Sequence, residues 1–259
     1  MDSNIVFKKN DQEALDLKIK EGISKRPRYK NCYLPDLEDT EYVELPDTLV
    51  IRKRFDTFNR IYFLSDNAEE LIGVLKELGT DDIINIPSKK EMDESLVDTL
   101  NRGGYKLFQT FERYYNNHVE HRGDFTGEFA KESDAQQIYD LLYANFIPYT
   151  DHLPSMSEIH DRIRNKEIFV NRDKVSGKVI GLFSLTFEKQ RCFFTLWINM
   201  SGDINESLSL YFNAFNLMHE KGYEKAYLWV REDNKFSKPI HLIHGFIFDG
   251  LKDYTFTKK

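Results

Sequence analysis

The sequence has 259 residues, of which 41% are hydrophobic and 14% are aromatic, and this is enough to bury one large core or two smaller ones. Its formal net charge of −7 leaves no basic surface of the kind that binds nucleic acid or an anionic membrane. We therefore expect neither as a partner.

The first half begins with a predicted helix, "DQEALDLKIKEGISK", and continues as an irregular arm, "RPRYKNCYLPDLEDTEYVELPD". Strands and helices then alternate, as "TLVIRKRF", "RIYFLS", "NAEELIGVLKEL", "DDIINIP", "EMDESLVDTLNRG" and "YKLFQTFERYY". Asp66 is the predicted N-cap of the first helix in this series. Strand, helix, strand, helix and strand in this order indicate a small α/β unit.

The polar segment "NNHVEHRGDFTGE" contains two glycines and separates the two halves, so we predict one domain over 1–117 and a second over 126–259. The second half repeats the alternation with more elements. In chain order they are "EFAKES", the helices "AQQIYDLLYANF" and "MSEIHDRIRN", and the antiparallel strands "EIFVNRD", "KVIGLFSLTFE" and "RCFFTLWINM". A helix that begins within "LWINMSGDINESLSLYF" and runs through "YFNAFNLMHEKG" follows, then the strand "KAYLWVRE", the short helix "KFSKPIHLIHG", and the strands "FIFDG" and "LKDYTF".

The cysteine content and the hydropathy pattern bear on the cellular compartment. Cys32 and Cys192 are the only cysteines, one in each half, which fits a reducing cytoplasm better than a disulfide-bonded secreted domain. The first 20 residues lack an apolar signal core, and no stretch approaches the roughly 20 apolar residues needed to span a bilayer. The sequence therefore predicts a soluble cytoplasmic protein.

Three enzyme classes lack their central motif in this sequence. It contains neither the Gly-x-Ser-x-Gly turn of serine hydrolases, nor a P-loop, nor the Gly-x-Gly-x-x-Gly turn of dinucleotide-binding folds. Cys192 lies within a hydrophobic strand, which favours an inert core thiol over a nucleophile.

The stretch "LWVREDNKFSKPIHLIHGFIFDG" carries a family resemblance. It places an Asn at the start of a short helix, a small residue three positions later, a polar ring seven positions later and a closing Gly-Phe, which are Asn234, Ser237, His241, Gly245 and Phe246. Together with the order of elements, this stretch resembles the GNAT superfamily of N-acyltransferases over roughly residues 127 to 256. The first half resembles a degenerate, partial copy of the same fold.

The resemblance implies an α/β (α+β) fold of two GNAT-like units, each a mixed twisted sheet flanked by helices, with the N-terminal unit partial. It implies an acyl-CoA, most simply acetyl-CoA, bound where the fourth and fifth strands separate, and acyl transfer to an amine of a small molecule or peptide. The alternative is a catalytically inactive GNAT-like module that has lost CoA and binds another ligand or a protein. Fold alone does not decide between them.

The loop after "RCFFTLWINM" departs from the family pattern. GNAT proteins usually have Arg-Gly-x-Gly-x-Gly or Ala here, with the CoA pyrophosphate at the start of the next helix, where free backbone N–H groups hold anions. In this sequence the four positions are Asp203, Ile204, Glu206 and Leu208. Asp203 and Glu206 have the spacing of a capping box, which predicts a helix that caps itself and repels phosphate. A shifted CoA site, assisted by Ser201 and Gly202, remains open.

Two residues are catalytic candidates. His241 occupies the position where the family often has a Tyr that protonates the departing thiolate, and an imidazole has the chemistry to do so. The alternative is a partly buried structural histidine. Glu188, at the end of the third strand, is a candidate base for the attacking amine, with a solvated turn carboxylate beside Lys189 as the alternative.

The resemblance also assigns binding residues. The backbone of the fourth strand, the turn after it and the start of the short helix are the predicted acyl-CoA contacts, represented by Ile198, Met200, Ser201, Gly202, Asn234 and Ser237. The loop between the first two helices and the tryptophans of the separating strands are the predicted acceptor contacts, represented by Tyr149, Asp151, His152, Trp197 and Trp229. For each tryptophan, core packing is the alternative.

No metal is predicted, because His241 and His244 have helical spacing but no third ligand accompanies them. The identity of the acceptor, the acyl-chain length and the oligomeric state are not encoded in any motif of this sequence.

Overall fold

The computed structural model describes residues 5–9, 12–31 and 37–258. Cys32 and the adjoining part of the predicted arm lie outside the described residues. The chain forms two compact units, one of Met1–Thr110 with Leu251–Lys259 and the other of Phe111–Gly250. No helix in the described ranges is both long and apolar enough to cross a membrane.

Within its described residues, the first unit contains three helices and six strands of its own. The helices are α1 (Gln12–Ser24), α2 (Ala68–Glu77) and α3 (Glu94–Arg102). The strands are β1 (Lys8–Lys9), β2 (Tyr29–Lys30), β3 (Thr40–Leu45), β4 (Thr48–Arg54), β5 (Asn59–Ser65) and β6 (Asp82–Ser88).

Each face of this sheet is covered by helices. Helices α2 and α3 bury their apolar residues, including Leu71 and Leu100, against Ile61, Phe63 and Ile84 on one face. Helix α1 packs on a second cluster that contains Tyr62 and Leu64, and the alternation of side chains along β5 accounts for the two faces. The predicted helical spacing in α2 is therefore confirmed.

The predicted N-cap of α2 is wrong by one residue. Asn67 is the cap, and its side chain accepts hydrogen bonds from the amides of Glu69 and Glu70. Asp66 instead accepts from the amide of Arg28, so its carboxylate anchors the arm rather than the helix.

The arm fills a gap between two parallel strands of the first unit. Strands β5 and β6 pair only from Asn59↔Asp82 to Ile61↔Ile84, and β2 then pairs with the free edge of β5. The buried Asn31 donates to the carbonyl oxygens of Ile61 (2.9 Å) and Asn85 (3.0 Å) and so joins both separating strands. The chain itself thus occupies the gap in this unit.

The second unit contains five helices and five strands of its own. The helices are α4 (Ala135–Asn145), α5 (Pro148–Asp151), α6 (Met156–Arg164), α7 (Ile204–Glu220) and α8 (Ser237–Ile243). The strands are β8 (Glu128–Phe129), β9 (Ile168–Arg172), β10 (Val179–Phe187), β11 (Cys192–Asn199) and β12 (Ala226–Arg231).

Helices again cover both faces. Helix α7 packs its buried face, including Tyr211 and Phe215, on Phe183, Phe194 and Leu228. Helices α4 and α6 pack on the opposite face, in a cluster that contains Leu182 and Leu196. Strands β8 to β11 are antiparallel neighbours, and β11 and β12 are parallel. This is the mixed α/β arrangement that the sequence predicts.

Two long strands, β7 (Tyr105–Asn116) and β13 (Ile247–Lys258), cross the division between the units. Residues 111 to 116 of β7 pair antiparallel with β12, and residues 252 to 256 of β13 pair antiparallel with β6. Each unit therefore takes a strand from the other half of the sequence. The boundary predicted at 118–125 and the two compact units place every helix in the same half. They differ only for β7 and β13, each of which contributes residues to both units.

Two strand predictions are corrected. "FIFDG" and "LKDYTF" form one strand of 12 residues, within which Gly250 has a φ of 84°, a left-handed conformation that favours glycine. "EFAKES" is a strand only at Glu128–Phe129, because 132–134 is a 3₁₀ turn in which Asp134 accepts from the amide of Lys131.

Candidate functional site

The centre of the second unit is the point where the parallel strands β11 and β12 separate. Their registered pairs run from Cys192↔Ala226 to Phe194↔Leu228, whereas β11 continues to Asn199. Beyond Phe194 the backbone groups of β11 on this side have no strand partner among the described residues. The register therefore shows that β11 and β12 separate beyond the pair Phe194↔Leu228.

A β-bulge lies at the same point. Ser184 faces Leu196 and Leu185 faces Phe194, so Thr195 is an extra residue on β11. The Thr195 hydroxyl donates to the Ser184 carbonyl oxygen at 2.8 Å. Residues two apart on a regular strand point to the same face, but here Phe194 packs with α7 and Leu196 packs with α4 and α6. The bulge therefore turns the side chains that follow it to the opposite faces of the sheet.

The backbone direction of β11 revises two predicted contacts, those of Ile198 and Met200. The Met200 amide donates to the Ile180 carbonyl oxygen at 2.7 Å and is not available to a ligand. Because backbone groups along a strand alternate in direction, the amide of Ile198 also faces β10. The amides of Trp197 and Asn199 face the open side.

The turn after β11 is held by its own side chains. The Asn199 amide group donates to the Ser201 hydroxyl (2.8 Å), the Asp203 carbonyl oxygen (3.2 Å) and the Ser207 hydroxyl (3.0 Å). Gly202 is in the left-handed region with a φ of 75°, which places the turn tightly against the start of α7. The turn is therefore ordered by hydrogen bonds within the protein.

Asp203 is the N-cap of α7, as predicted, and its carboxylate accepts from the Asn205 amide at 2.8 Å. The reciprocal half of the capping box is wrong, because the Asp203 amide donates to the Ser201 hydroxyl instead of to Glu206. Glu206 has one buried carboxylate oxygen with no hydrogen-bond partner in the described part of the chain. A negative charge nevertheless lies at the positive end of the α7 dipole.

An aromatic wall joins α7, α8 and the separated end of β11. We use this name for Trp197, Tyr211, Phe236 and His241. The Trp197 ring centroid lies 5.0 Å from that of Tyr211, 6.1 Å from Phe236 and 6.0 Å from His241. Trp197 is partly exposed and Phe236 is exposed, whereas Tyr211 and His241 are buried, so the wall runs from the core of this unit to its surface.

His241 is the buried end of this wall, with 6% of its surface exposed. Its Nδ1 lies 3.0 Å from the Tyr211 hydroxyl. Burial, with a smaller effect of His244, lowers the pKa of His241 to about 3, and burial raises the pKa of Tyr211. His241 is therefore a neutral imidazole at pH 7, hydrogen-bonded to a protonated phenol.

The chain is similar to known proteins in its structure but not in its sequence. No protein-family model and no curated protein matches the sequence. Among solved structures, the chain is similar to a GCN5-related N-acetyltransferase from Sphaerobacter thermophilus, with a TM-score of 0.58 and 12% identity over 86% of this chain and 81% of that one. It is also similar to a GNAT-family acetyltransferase from Colwellia psychrerythraea, with a TM-score of 0.54 and 11% identity over 99% and 100% of the two chains.

A third similar structure is a tandem GNAT protein from the clavulanic acid biosynthesis pathway, with a TM-score of 0.54 and 12% identity over 98% of this chain and 97% of that one. The similarity extends over both units and not the second alone. This chain has the tandem GNAT fold. The resemblance drawn from the sequence is confirmed at the level of fold.

Glu188 lies on the closed side of the GNAT strand pair. It accepts hydrogen bonds from the Tyr227 hydroxyl (2.5 Å) and from Arg191 (2.8 Å), and Tyr227 is paired with Phe193, where β11 and β12 are still joined. Burial opposes ionisation of Glu188, but the bonds from Tyr227 and Arg191 outweigh it and lower its pKa. A carboxylate in this state is a poor proton acceptor, so the geometry favours its structural reading.

Asn234 caps the start of α8. Its side-chain oxygen accepts from the amides of Phe236 (3.0 Å) and Ser237 (2.9 Å). Asn234 therefore fixes the turn that leads into α8. Ser237 is partly buried at the first residue of α8.

The predicted acceptor loop is the single turn α5, which links α4 to α6. Asp151 accepts from the Ile147 amide (2.9 Å) and the Thr150 hydroxyl (3.1 Å). Burial raises its pKa, against the smaller effects of these bonds and of Arg231. His152 is exposed with a φ of 51°, and Tyr149 is partly buried.

The two tryptophans lie on opposite faces of the GNAT sheet. Trp197 contacts Tyr211 on the α7 face. Trp229 is flanked by Leu228 and Val230, which belong to the α7-face cluster, so its own side chain points to the other face. The Arg113 guanidinium lies over the Trp229 ring, 5.8 Å from its centroid. A single pocket wall made of both tryptophans is excluded by this alternation.

Tyr211, Thr195 and Arg162 belong to the site but were not predicted. Arg162 donates from Nη1 to the Ser184 hydroxyl (3.2 Å) and the Thr195 hydroxyl (3.3 Å), at the bulge. A sequence signal for Arg162 exists, because it is three residues after the buried Ile159 and one before the buried Ile163 and so lies near the apolar side of α6. The bulge has no such signal, because it depends on the register of a partner strand.

Proposed function

We propose that the second unit is an acyl-CoA-dependent N-acyltransferase, most simply using acetyl-CoA, that acts on an amine of a small molecule or peptide. The observation that carries this proposal is the separation of β11 from β12 at a bulge. The open-side amides of Trp197 and Asn199 offer the pantetheine arm a strand edge to pair with. These residues replace Ile198 and Met200 as the proposed backbone contacts.

In the proposed reaction the amine nitrogen attacks the thioester carbonyl carbon, the carbon–sulfur bond breaks, and the thiolate takes up a proton while the amine loses one. When Tyr211 donates to Nδ1 of His241, the ring proton is on Nε2 and is available as a donor. We assign His241 the role of neutral hydrogen-bond donor to the departing sulfur. Asp151, whose pKa burial raises, is a better candidate base than Glu188.

The first unit is not proposed as a second active site. Its corresponding gap between β5 and β6 holds Tyr29, Lys30 and Asn31, and Asn31 bonds to both strands. An acyl-CoA would have to displace a buried segment of the chain there. We therefore expect one acyl-CoA per chain.

The fit of the residues to acyl-CoA differs between its two ends. The strand edge suits pantetheine, whereas the α7 N-terminus carries Asp203 where a pyrophosphate would need a donor or a cation. A thermal-shift titration with acetyl-CoA and longer acyl-CoAs tests binding, because a ligand of the folded state raises Tm in a saturable way. Absence of a shift at millimolar acyl-CoA would overturn the proposal.

Replacing Asp203 with Asn is expected to tighten acetyl-CoA binding about tenfold, or ~1.4 kcal/mol, because one negative charge is removed beside the pyrophosphate. Asn is an equally good N-cap, so Tm without ligand should change little. Asp203→Arg should tighten binding further. Calorimetric Kd values test both variants.

The matched control is Asp93→Asn, which makes the same change at an N-cap in the first unit, where Asp93 accepts from the Ser95 amide. It should leave the Kd unchanged. Weaker binding by Asp203→Asn would show that the pyrophosphate does not meet α7 at this turn.

The charge and bonding of the α7 cap specifically favour a second candidate function. A module that has lost CoA would need no free donors at this helix, and here Asp203, Ser201 and Asn199 bond among themselves. Such a module would bind another ligand or a protein in the same gap. It predicts no thermal shift with any acyl-CoA, in the wild type or in Asp203→Asn.

A further inference from the structure

Arg162 of α6 is a partly buried guanidinium without an ion-pair partner in the described part of the chain. Its Nη1 bonds only to the hydroxyls of Ser184 and Thr195, at the long distances of 3.2 and 3.3 Å. Within the described ranges, its Nε and Nη2 donate to no protein acceptor, and no carboxylate lies within ion-pairing distance. Burial lowers the pKa of Arg162, with Glu158 and Glu167 as the acids that oppose this effect from further away.

Other arginines of the second unit show what is unusual here. Arg172 reaches Asp134 at 2.7 Å, Arg113 reaches Asp249 and Arg231 reaches Asp233. A guanidinium has five donors in a planar fork that matches a carboxylate, and withdrawing it from water without an anion is costly. None of the Arg162 nitrogens is a buried, unsatisfied atom, so the unused donors still face accessible space.

The position of Arg162 indicates whether it contacts the acyl-CoA or the amine acceptor. Ser184 lies two residues beyond Leu182, whose face of the sheet packs on α4 and α6, whereas α7 and α8 lie on the opposite face. With its pyrophosphate at the α7 N-terminus and its pantetheine arm paired with Asn199 and Trp197, the proposed acyl-CoA would bring its acyl group towards the bulge at Thr195. A cation at the bulge on the α6 side therefore faces the incoming acceptor rather than the body of the donor.

We propose that Arg162 binds a carboxylate of the acceptor, and that the acceptor is accordingly an amino acid or another small amine with a carboxylate close to its nitrogen. The free Nε and Nη2 are the donors for this carboxylate, while Ser184 and Thr195 hold Nη1 in place. Asp151, in the link between α4 and α6, is on the same side of the sheet, and its carboxylate form would attract the ammonium group. This inference rests on the proposed function only in identifying the ligand as the acyl acceptor. Binding of a carboxylate by Arg162 does not require acyl transfer.

The experiment measures binding rather than turnover. Each common L-amino acid is titrated against its own α-carboxamide by thermal shift and calorimetry, with and without acetyl-CoA. We expect at least one amino acid to bind at least tenfold more tightly than its carboxamide. The inference is overturned if no pair shows this preference in the presence or absence of acetyl-CoA.

Arg162→Gln should reduce the preference to within about twofold, whereas Arg164→Gln on the same helix, where Arg164 is exposed, should retain it. Arg162→Lys keeps the charge but loses the fork and should lower the preference severalfold, and it serves if Arg162→Gln fails to fold. A preference that survives both Arg162 variants assigns the carboxylate to another residue and overturns the inference.

The acetyl-CoA shift separates this inference from the proposed function. If acetyl-CoA shifts Tm equally in the wild type and in Arg162→Gln but no amino acid outperforms its carboxamide, the inference fails and the proposed function stands. If the carboxylate preference depends on Arg162 and acetyl-CoA gives no shift, the site stands and acyl transfer fails.

Discussion

Replacing Arg172 with Met is expected to lower the free energy of unfolding by about 3–5 kcal/mol at pH 7, because it leaves a buried carboxylate without its counter-charge. Arg172 on β9 donates to both oxygens of Asp134, at 2.7 and 3.0 Å, and only 4% of the Asp134 surface is exposed. Urea unfolding followed by circular dichroism at pH 7 measures the difference.

The pH dependence of the stability of Arg172→Met tests whether the uncompensated Asp134 carboxylate causes the loss. Hydrogen bonding to Arg172 lowers the pKa of Asp134 against the opposing effect of burial, so the stabilisation in the wild type is present above pH 4 and is lost as the pH falls through the lowered pKa. Without Arg172, burial remains and should raise that pKa above its unfolded value. The deficit of Arg172→Met should therefore shrink as the pH is lowered from 7 towards 4.

Arg164→Met is the matched control, because Arg164 pairs with Asp161 and Glu132 at a position where 58% of its side chain is exposed. Exposed pairs contribute about 0–1 kcal/mol, so this variant should stay within that range. A loss for Arg172→Met no larger than that for Arg164→Met would contradict the account given for Asp134.

The helices were predictable because the residues that specify them, apolar side chains at helical spacing and capping residues, are close together in the sequence. Leu71, Val74, Leu75 and Leu78 repeat at helical spacing and all are buried in the structure. Caps follow the same logic, and Asp203 was predictable from its position before α7. The misplaced cap at Asn67 shows the limit, since Asp66 and Asn67 are equally suitable and the choice depends on the amide of Arg28, 38 residues away.

Features that depend on two distant strands were not predictable. The bulge at Thr195 exists only in the register of β11 against β10, and the placement of β2 in the first unit depends on the edge that β5 leaves free beyond Ile61. The exchange of β7 and β13 between units is also invisible to local patterns, because each strand alternates apolar and polar residues equally well in either sheet. The resemblance to GNAT proteins supplied the order of elements, but not these pairings.

The neutral state of His241 leads to the second large expected effect. A histidine whose folded pKa is lowered to about 3, from about 6.5 when unfolded, favours unfolding as the pH falls between those values. Relative to pH 7, the titration of His241 should lower the free energy of unfolding by about 2 kcal/mol at pH 5 and by about 3 kcal/mol at pH 4. Urea unfolding of the wild type and of His241→Phe at these pH values measures the difference in slope.

His241→Phe should lose this acid-dependent part of the slope. It should also be less stable at pH 7 by about 1–3 kcal/mol, because the buried Tyr211 hydroxyl loses its partner. The double variant with Tyr211→Phe should recover part of that loss. His118→Gln, which replaces an exposed histidine, is the control and should retain the wild-type slope. An unchanged slope in His241→Phe would mean that the imidazole is accessible and charged below pH 6.

The same burial constrains catalysis if the unit transfers acyl groups. An acid that worked as an imidazolium would gain rate as the pH fell from 7 to 5, because its charged fraction would rise. With a pKa of about 3, His241 stays neutral across that range and donates from a ring N–H of constant population. Its contribution to the rate should therefore be flat from pH 5 to 8. A loss of rate towards acid pH would instead come from protonation of the attacking amine or of the group that receives its proton, for which Asp151 is the candidate whose pKa burial raises.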